Sequence, residues 1–521
     1  MIPTFDNLHD DPAAFALNDA NNLLRQIHSR AASTPDAIFL EEVGGHRLSY
    51  ADTVAEIERC RHHLASLGLV RNDRLVSLLP ASINGYILWL AAGSLGIWEI
   101  AVNRELKGSF LKHQVESPRP RMVFVSIRDA DLLATEGVAA PAVEVVAEGG
   151  DQCWGRDRLP MTEWPAGDDV ACVIYTSGTT GPAKGVMLTW AQLAGIIGRT
   201  PREWLDSGDV AYTPWPSFHI TGRSPLIVMA DVGGRVVIRD KFSLSEFWAD
   251  IDRHRCTFAT IGSGVPFLVK EEVTELSRNS PLKTAFGVAS GHFNLQFQEK
   301  FGVNMMFCYG STEVGFPVVN LRFSEDNQRS AGFLRPGYQW RLVNEGGADV
   351  AEGEAGELWL RPPHPSMMFK GYLDQPEATA RAVVDGWYRT GDLLRRDGAG
   401  RFVFVDRIKD TIKRRGENIS ASEYEGSLQG LAEVGECSVI GVKSELSGAE
   451  IYIAAAPRAG VVLTPEHLFE LLRARYPKFM LPSYISLAAE LPKTPSGKVS
   501  KPAVLAQLPL AAAWRSPLAE T

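Results

Sequence analysis

One segment constrains this chain more than any other: residues 175–185, YTSGTTGPAKG, which close the apolar run VACVIY at 170–175. Hydroxyls of Thr176, Ser177, Thr179 and Thr180 alternate there with glycines, Gly178 among them, and Lys184 follows. Small residues let backbone N–H groups approach an oxyanion closely, hydroxyls add hydrogen bonds, and a lysine adds charge. These are the requirements for cradling a polyphosphate. The spacing is not G-x-x-x-x-G-K-[ST], which excludes the phosphate loop of kinases and GTPases.

The surrounding pattern predicts an α/β fold. Residues 55–67 carry apolar positions at helical spacing and end at Gly68; RLVSLL (74–79) reads as a buried strand, and 83–95 as a helix. The alternation continues with strands at 170–175 and 235–238, a helix-like run from Leu188, and a helix at 244–254. Layers around a largely parallel sheet are expected. From about 340 to 405 the pattern changes to short strands (WRLV, GELWL, RFVFV) between Gly-rich turns, which predicts an antiparallel, barrel-like β unit. Beyond it, helix 422–431, strands 437–442 and 450–455, helix 465–475 and strand 485–487 make a small α+β domain. The expected division is a large domain at 1–406 and a small one at 407–521.

Composition narrows the function. With 521 residues, 45% of them hydrophobic and 22% charged, the chain can bury a large core. A net charge of −9 argues against nucleic-acid backbone binding. The longest apolar run, Tyr86 to Trp98, stops at Glu99, short of the roughly 20 residues a bilayer needs, so a buried core helix is expected. The opening MIPTFDNLHDDPAAF has no basic or apolar signal region, and a cytoplasmic protein is expected. Six cysteines are scattered without a C-x-x-C pair, so reduced, mostly buried thiols are expected rather than a zinc or iron–sulfur site.

Other segments follow the loop in order: PWPSFHITG (214–222), YGSTE (309–313), YRTGDL (388–393), DRIKDTIKRRGENIS (406–420) and TPSGKVSK (494–501). Together with the loop they resemble the motifs of the ANL adenylate-forming enzymes, which include acyl-CoA synthetases, adenylation domains and beetle luciferases. The resemblance covers residues 30 to 505. The chain looks most similar to the medium- and long-chain acyl-CoA ligases and the carnitine-CoA-ligase-like branch.

The resemblance implies a two-step reaction. A carboxylate and ATP give an acyl-adenylate and pyrophosphate, and a thiol then takes the acyl group. By the same resemblance Thr176, Ser177, Gly178, Thr179, Thr180 and Lys184 hold the β- and γ-phosphates. Thr312 contacts the α-phosphate, Glu313 holds Mg²⁺, and Tyr309 lies against adenine with Gly310 and Ser311 beside it. Asp392 accepts the ribose hydroxyls, as a carboxylate with two coplanar acceptors is suited to do. Arg407 reaches ribose or phosphate oxygens. Lys498 stabilises charge developing in the transition state. Lys409 is the hinge of the small domain, and its rotation brings Gly416 to the thiol channel. His219, Gly262, Gly264, Ala289, Ser290, Gly291, Gly310 and Val314 line the acyl pocket, although ASGH at 289–292 departs from the family's usual G-G-A-P. Arg414 and Arg415 are candidates to pair with coenzyme A phosphates.

The implied function is an acid–CoA ligase using ATP, Mg²⁺ and coenzyme A on a small-molecule carboxylic acid. One alternative is an acyl-AMP ligase that delivers its acyl group to a carrier-protein phosphopantetheine or an amine. Another is a non-catalytic nucleotide-binding homologue, which the presence of Lys498, Glu313 and Asp392 disfavours. No nucleic-acid partner and no integral membrane association are expected.

Overall fold

Strands and helices alternate as the sequence predicts and build two large sheets. The computed structural model describes residues 22–147, 153–176, 183–197, 205–262, 264–287, 292–408, 411–414, 417–444, 448–476, 480–494 and 497–517. The chain forms two compact units. One comprises Met1–Trp340, Leu360–Arg389 and Ala399–Phe402, the other Arg341–Trp359, Thr390–Gly398 and Val403–Thr521.

The first unit holds both large sheets. A seven-stranded sheet runs in the order Gly371–Tyr372, Lys184–Thr189, Val170–Thr176, Trp98–Ala101, Arg74–Leu78, Met122–Ser126, Val143–Val146. The five strands from Val170–Thr176 to Val143–Val146 pair in parallel; the other two join antiparallel. A nine-stranded sheet is parallel through its centre and antiparallel at both ends. The run expected to be helical from Leu188 is corrected here. Lys184–Thr189 is a strand, and the helix is Trp190–Ile197. The residues after the Gly/Thr-rich segment turn straight back along Val170–Thr176, because Gly185, Val186 and Met187 find open ladder partners in Tyr175, Ile174 and Val173.

Helix Ile83–Ser94 is buried on every side from Ile83 to Gly93, as the apolar run predicts. Its Trp89 Nε1 donates to the Ala171 carbonyl at 3.1 Å, which satisfies the one polar group of a side chain buried in the core. Helix Tyr50–Ser66 begins earlier than its apolar spacing suggests, because Ser49 and Asp52 form a capping box.

A third sheet, of five strands, accounts for the β-rich segment. Its order is Gln339–Val343, Gly356–Arg361, Trp387–Arg396, Val383–Val384, with Phe402–Arg407 also paired to Trp387–Arg396. Among the described residues the order is open and branched, a β-rich unit without the closure of a barrel. The long strand Trp387–Arg396, which the sequence reading had not separated out, supplies three neighbours with a ladder.

The second unit carries a four-stranded sheet ordered Val434–Ser444, Gly448–Pro457, Tyr484–Leu487, Trp514–Arg515. Helices Ala421–Gln429 and Pro465–Arg473 pack on it through Tyr424, Leu428, Leu468 and Leu472. Asp406, fully buried, anchors the first of these helices: its Oδ2 accepts from Ala421 N at 2.7 Å and its Oδ1 from Ser422 Oγ at 2.9 Å. The six cysteines are free thiols; Cys153 and Cys308 are half-buried and the other four buried. Burial pushes the Cys172 thiol up to about 12.

Candidate active site

The first cluster forms where strand Lys184–Thr189 meets the turn between strands Asn304–Ser311 and Gly315–Asn320. Gly371–Tyr372 pairs antiparallel with Lys184–Thr189, placing Tyr372 opposite Val186. Lys184 lies two residues away on the same face. Its Nζ sits 4.8 Å from the centroid of the Tyr372 ring. The Tyr372 hydroxyl in turn donates to Glu313 Oε1 at 2.8 Å. Glu313 is buried, at 7% exposure, so its carboxylate is removed from water yet hydrogen-bonded. Burial and the Glu313 charge push the Tyr372 hydroxyl well above the ordinary tyrosine range, so it remains a proton donor.

Backbone contacts hold this turn from several directions. Phe369 N donates to the Glu313 carbonyl at 2.8 Å. Gln192 Nε2 donates to the Thr312 carbonyl at 2.8 Å. Ser311 Oγ lies 3.2 Å from the hydroxyl of buried Tyr388. Tyr309 is buried in its strand opposite Val318, and Val314 is buried beside Glu313. Gly310 has no alternative: a Cβ there would stand 1.8 Å from the Gly315 carbonyl oxygen. Thr176 pairs with Lys184 across the hairpin. Ser177, Gly178, Thr179 and Thr180 lie outside the described residues. Tyr372 and Gln192 escaped the sequence reading because neither belongs to a dense run of one chemistry; Tyr388 opens the YRTGDL segment but was given no role there.

A second cluster lies in the same unit. His219 begins helix Ile220–Val232, its ring 4.7 Å from that of Phe218. The preceding turn is tied down by Arg223, whose Nε donates to the Ser217 carbonyl at 2.6 Å. Arg223 is wholly buried, paired with buried Glu99 at 2.8 Å and stacked 4.5 Å from the Trp89 ring. Trp215 Nε1 donates to the Thr260 carbonyl at 3.0 Å. That indole packs so closely on Gly262, which has φ of +53°, that a Cβ there would lie 2.2 Å from Trp215 Cζ2. The structure thus brings the 214–219 turn against Gly262, with Gly264 next along at the start of helix Val265–Lys270. Ala289, Ser290 and Gly291 lie outside the described residues.

The third cluster belongs to the second unit. Asp392 and Arg407 face each other with Arg407 Nε 3.3 Å from Asp392 Oδ1. Lys498 lies within electrostatic reach of both. Lys498 is exposed as a residue, yet withdrawal of its ammonium from water, followed by the Arg407 charge, lowers its pKa below the ordinary lysine value, with Asp392 opposing. Lys409 and Gly416 lie outside the described residues. Arg414 is a correction: it is not offered to phosphates. It is buried, ion-paired with Glu450, and donates to the Leu481 carbonyl at 2.6 Å, because its position in strand Thr411–Arg414 points it into the small sheet.

Among the described residues no cluster of three or more His, Cys, Asp or Glu could hold a metal by itself. The donor set nevertheless suits Mg²⁺ shared with a nucleotide, for which one hard carboxylate completed by phosphate oxygens and water is the usual arrangement. Glu313 is the buried carboxylate present in this cluster. No described helix is long and apolar enough to cross a membrane.

Comparison with known proteins bears on this geometry. The model of the AMP-binding enzyme family matches residues 27–373, and that of the AMP-binding enzyme C-terminal domain matches 423–498. A crotonobetaine/carnitine–CoA ligase of Salmonella arizonae is 28% identical over 497 residues, covering 89% of this chain and 95% of the relative. Among solved structures, ATP-bound MatB from Rhodopseudomonas palustris superposes with a TM-score of 0.84 at 23% identity, covering 95% of this chain and all of that one. The o-succinylbenzoate CoA synthetase MenE from Bacillus subtilis, in complex with its acyl-adenylate intermediate, gives 0.81 at 22% identity, covering 92% and 97%. At these identities the structural likeness carries the fold alone.

Proposed function

Because this chain belongs to the AMP-binding enzyme family, we propose that it is an ATP-dependent acid–CoA ligase. A carboxylate oxygen attacks the α-phosphorus of ATP, the bond to pyrophosphate breaks, and an acyl-adenylate forms. The thiol of coenzyme A then attacks the acyl carbonyl and AMP leaves. The observation that carries this reading is the meeting of Lys184 and buried Glu313 on Tyr372. A cation from the end of the phosphate loop and a desolvated carboxylate thus meet one side chain; the cation suits phosphate oxygens and the carboxylate the metal ion that accompanies them.

In this reading Thr176 and Lys184, with the loop 177–180 between them, bind the β- and γ-phosphates. Thr312 contacts the α-phosphate, and Tyr309, Gly310 and Ser311 border the adenine. Asp392 takes the ribose hydroxyls and Arg407 holds it in place. Lys498 meets the negative charge that builds when carboxylate and phosphate approach, a task that helps only if the ammonium is held in place beforehand. Mg²⁺ held by Glu313 neutralises phosphate charge when bound. His219, Gly262, Gly264 and Val314 bound the acyl site, with 289–291 nearby. The small domain turns about Lys409 to bring Gly416 to the thiol, so one site serves both half-reactions. We place the domain boundary at 406–409 and the protein in the cytoplasm.

The test is AMP release from ATP with a panel of carboxylic acids, with and without coenzyme A. The reading expects an acid-dependent release that coenzyme A accelerates, with an acyl-CoA product. Release that only a carrier-protein phosphopantetheine or an amine accelerates makes the protein an acyl-AMP ligase instead. A folded protein that neither binds ATP nor exchanges pyrophosphate into it sinks both.

A further inference from the structure

We propose that Tyr372 is a positioning residue of the nucleotide site: its hydroxyl fixes the Glu313 carboxylate and its ring seats the Lys184 ammonium, so one side chain holds both groups. The inference rests on the adenylation reading above and adds a residue to it.

The argument is geometric. A buried tyrosine needs an acceptor for its hydroxyl, and a backbone carbonyl would serve. Tyr372 instead uses the buried carboxylate of Glu313, at 2.8 Å. A phenol donor takes up one direction on Oε1 and fixes the carboxylate plane, which leaves the remaining lone pairs aimed consistently. Tyr372 is itself fixed. Its strand pairs with Lys184–Thr189, with Leu373 N donating to the Gly185 carbonyl and Lys370 N to the Met187 carbonyl, both at 2.8 Å. Phe369 N reaches the Glu313 carbonyl, so the segment 369–373 is laced to the strand after the phosphate loop and to the Glu313 turn at once. The diagonal placement of Lys184 across this ladder puts its Nζ over the ring, 4.8 Å from the centroid. A tyrosine that only filled space would need some acceptor, but neither a buried carboxylate in that place nor a lysine over its ring.

The two contacts separate by substitution. Tyr372→Phe removes the donor and keeps the ring; Tyr372→Leu removes both. ATP binding is measured by titration calorimetry on wild type and both variants, in Mg²⁺ and in EDTA, alongside the Mg²⁺ concentration that half-saturates ATP–pyrophosphate exchange. Tyr372→Phe is expected to weaken ATP binding about tenfold in Mg²⁺, the size of losing a hydrogen bond to a charged group, with little change in EDTA. Tyr372→Leu is expected to weaken it about threefold further, in both media, as Lys184 loses its seat. The half-saturating Mg²⁺ concentration rises in both variants, and this midpoint does not depend on how much of the protein is folded. Wild-type values for Tyr372→Phe, in binding and in the Mg²⁺ midpoint, overturn the proposal and leave the adenylation reading standing. A wild type that binds no ATP in either medium overturns the adenylation reading, and this inference with it.

Discussion

Arg407 Nε stands 3.3 Å from Asp392 Oδ1, and the two side chains differ in exposure, 45% against 13%. The carboxylate is the sheltered partner and the guanidinium the one that reaches outward. Lys498, distant in sequence, feels both. An ammonium held near an arginine loses part of its preference for the proton, and a nearby carboxylate limits that loss. Withdrawal from water and the Arg407 charge lower the Lys498 pKa, and Asp392 opposes them.

Lys498→Ala is therefore expected to lower ATP–pyrophosphate exchange by about 10²–10³, the size of removing one transition-state donor. The folded pKa of Lys498 lies below its unfolded value, so the unfolded chain binds more protons between the two and stability rises with pH there. At neutral pH the side chain thus costs stability, and the alanine variant should melt no lower than wild type. Exchange by wild type should fall on the alkaline side below the ordinary lysine range, and Lys498→Arg should remove that limb. Near wild-type exchange in Lys498→Ala would end the assignment.

Asp374 gives a prediction of opposite sign. Hydrogen bonds from Arg74 first, with Arg119 adding to them, hold its carboxyl at about 2. Its folded pKa is depressed, so its contribution is fully present above the unfolded value of about 3.9 and is lost as pH falls through about 2. Asp374 is exposed enough for solvent to screen the pair, which limits the contribution to about 1 kcal/mol. Asp374→Asn should lower the melting temperature by about 2 °C at pH 7. The gap to wild type should close between about pH 4 and 2. A gap that stays constant across that range contradicts the clamp.

How much of this was legible in the sequence depends on the range of the interaction. The strand at 170–175, the buried helix at 83–95 and the small-domain strands were visible because each is a local pattern of apolar residues. The expectation of phosphate-loop chemistry came from contiguous residues, of which 177–180 lie outside the described residues. The seat of Glu313 was not: Tyr372 reaches it only because Gly371–Tyr372 joins the edge of a sheet begun far earlier in the chain. The strand Lys184–Thr189 was missed, and its last two residues were assigned to the helix that follows, because its partner, Val170–Thr176, lies across the loop. Arg414 looked like a phosphate ligand because basic neighbours suggest a charged surface. Its strand position instead turned it inward to Glu450.

The Glu313 turn makes a further prediction. Gly310 sits so close to the Gly315 carbonyl oxygen, 1.8 Å from where a Cβ would be, that backbone must move to admit a methyl group. Gly310→Ala should cost about 1–3 kcal/mol of stability, as overpacking does. It should also abolish most exchange activity, because the displaced turn carries Ser311 to Glu313. Gly262→Ala meets a half-buried indole rather than backbone. Its effect should fall on acid selectivity, read as KM for the carboxylate, more than on ATP affinity. Equal loss of ATP affinity in both variants would argue that the two clusters are not separate in role.

The Glu99–Arg223 pair offers the strictest energetic test. Both side chains are withdrawn from water, 1% and 0% exposed. Such a pair is weak evidence for net stability, since desolvation offsets attraction, but removing one partner strands the other. Arg223→Met and Glu99→Leu should each cost about 3–5 kcal/mol by urea unfolding. The double variant should lie closer to wild type than either single, within about 1–2 kcal/mol, because no buried charge is left. What the double variant cannot restore is the bond from Arg223 Nε to the Ser217 carbonyl, 2.6 Å long, which shapes the turn leading to His219. It should therefore recover stability while its KM for the carboxylate stays raised. Single and double variants whose costs simply add would mean that the charges are not coupled and that water reaches them.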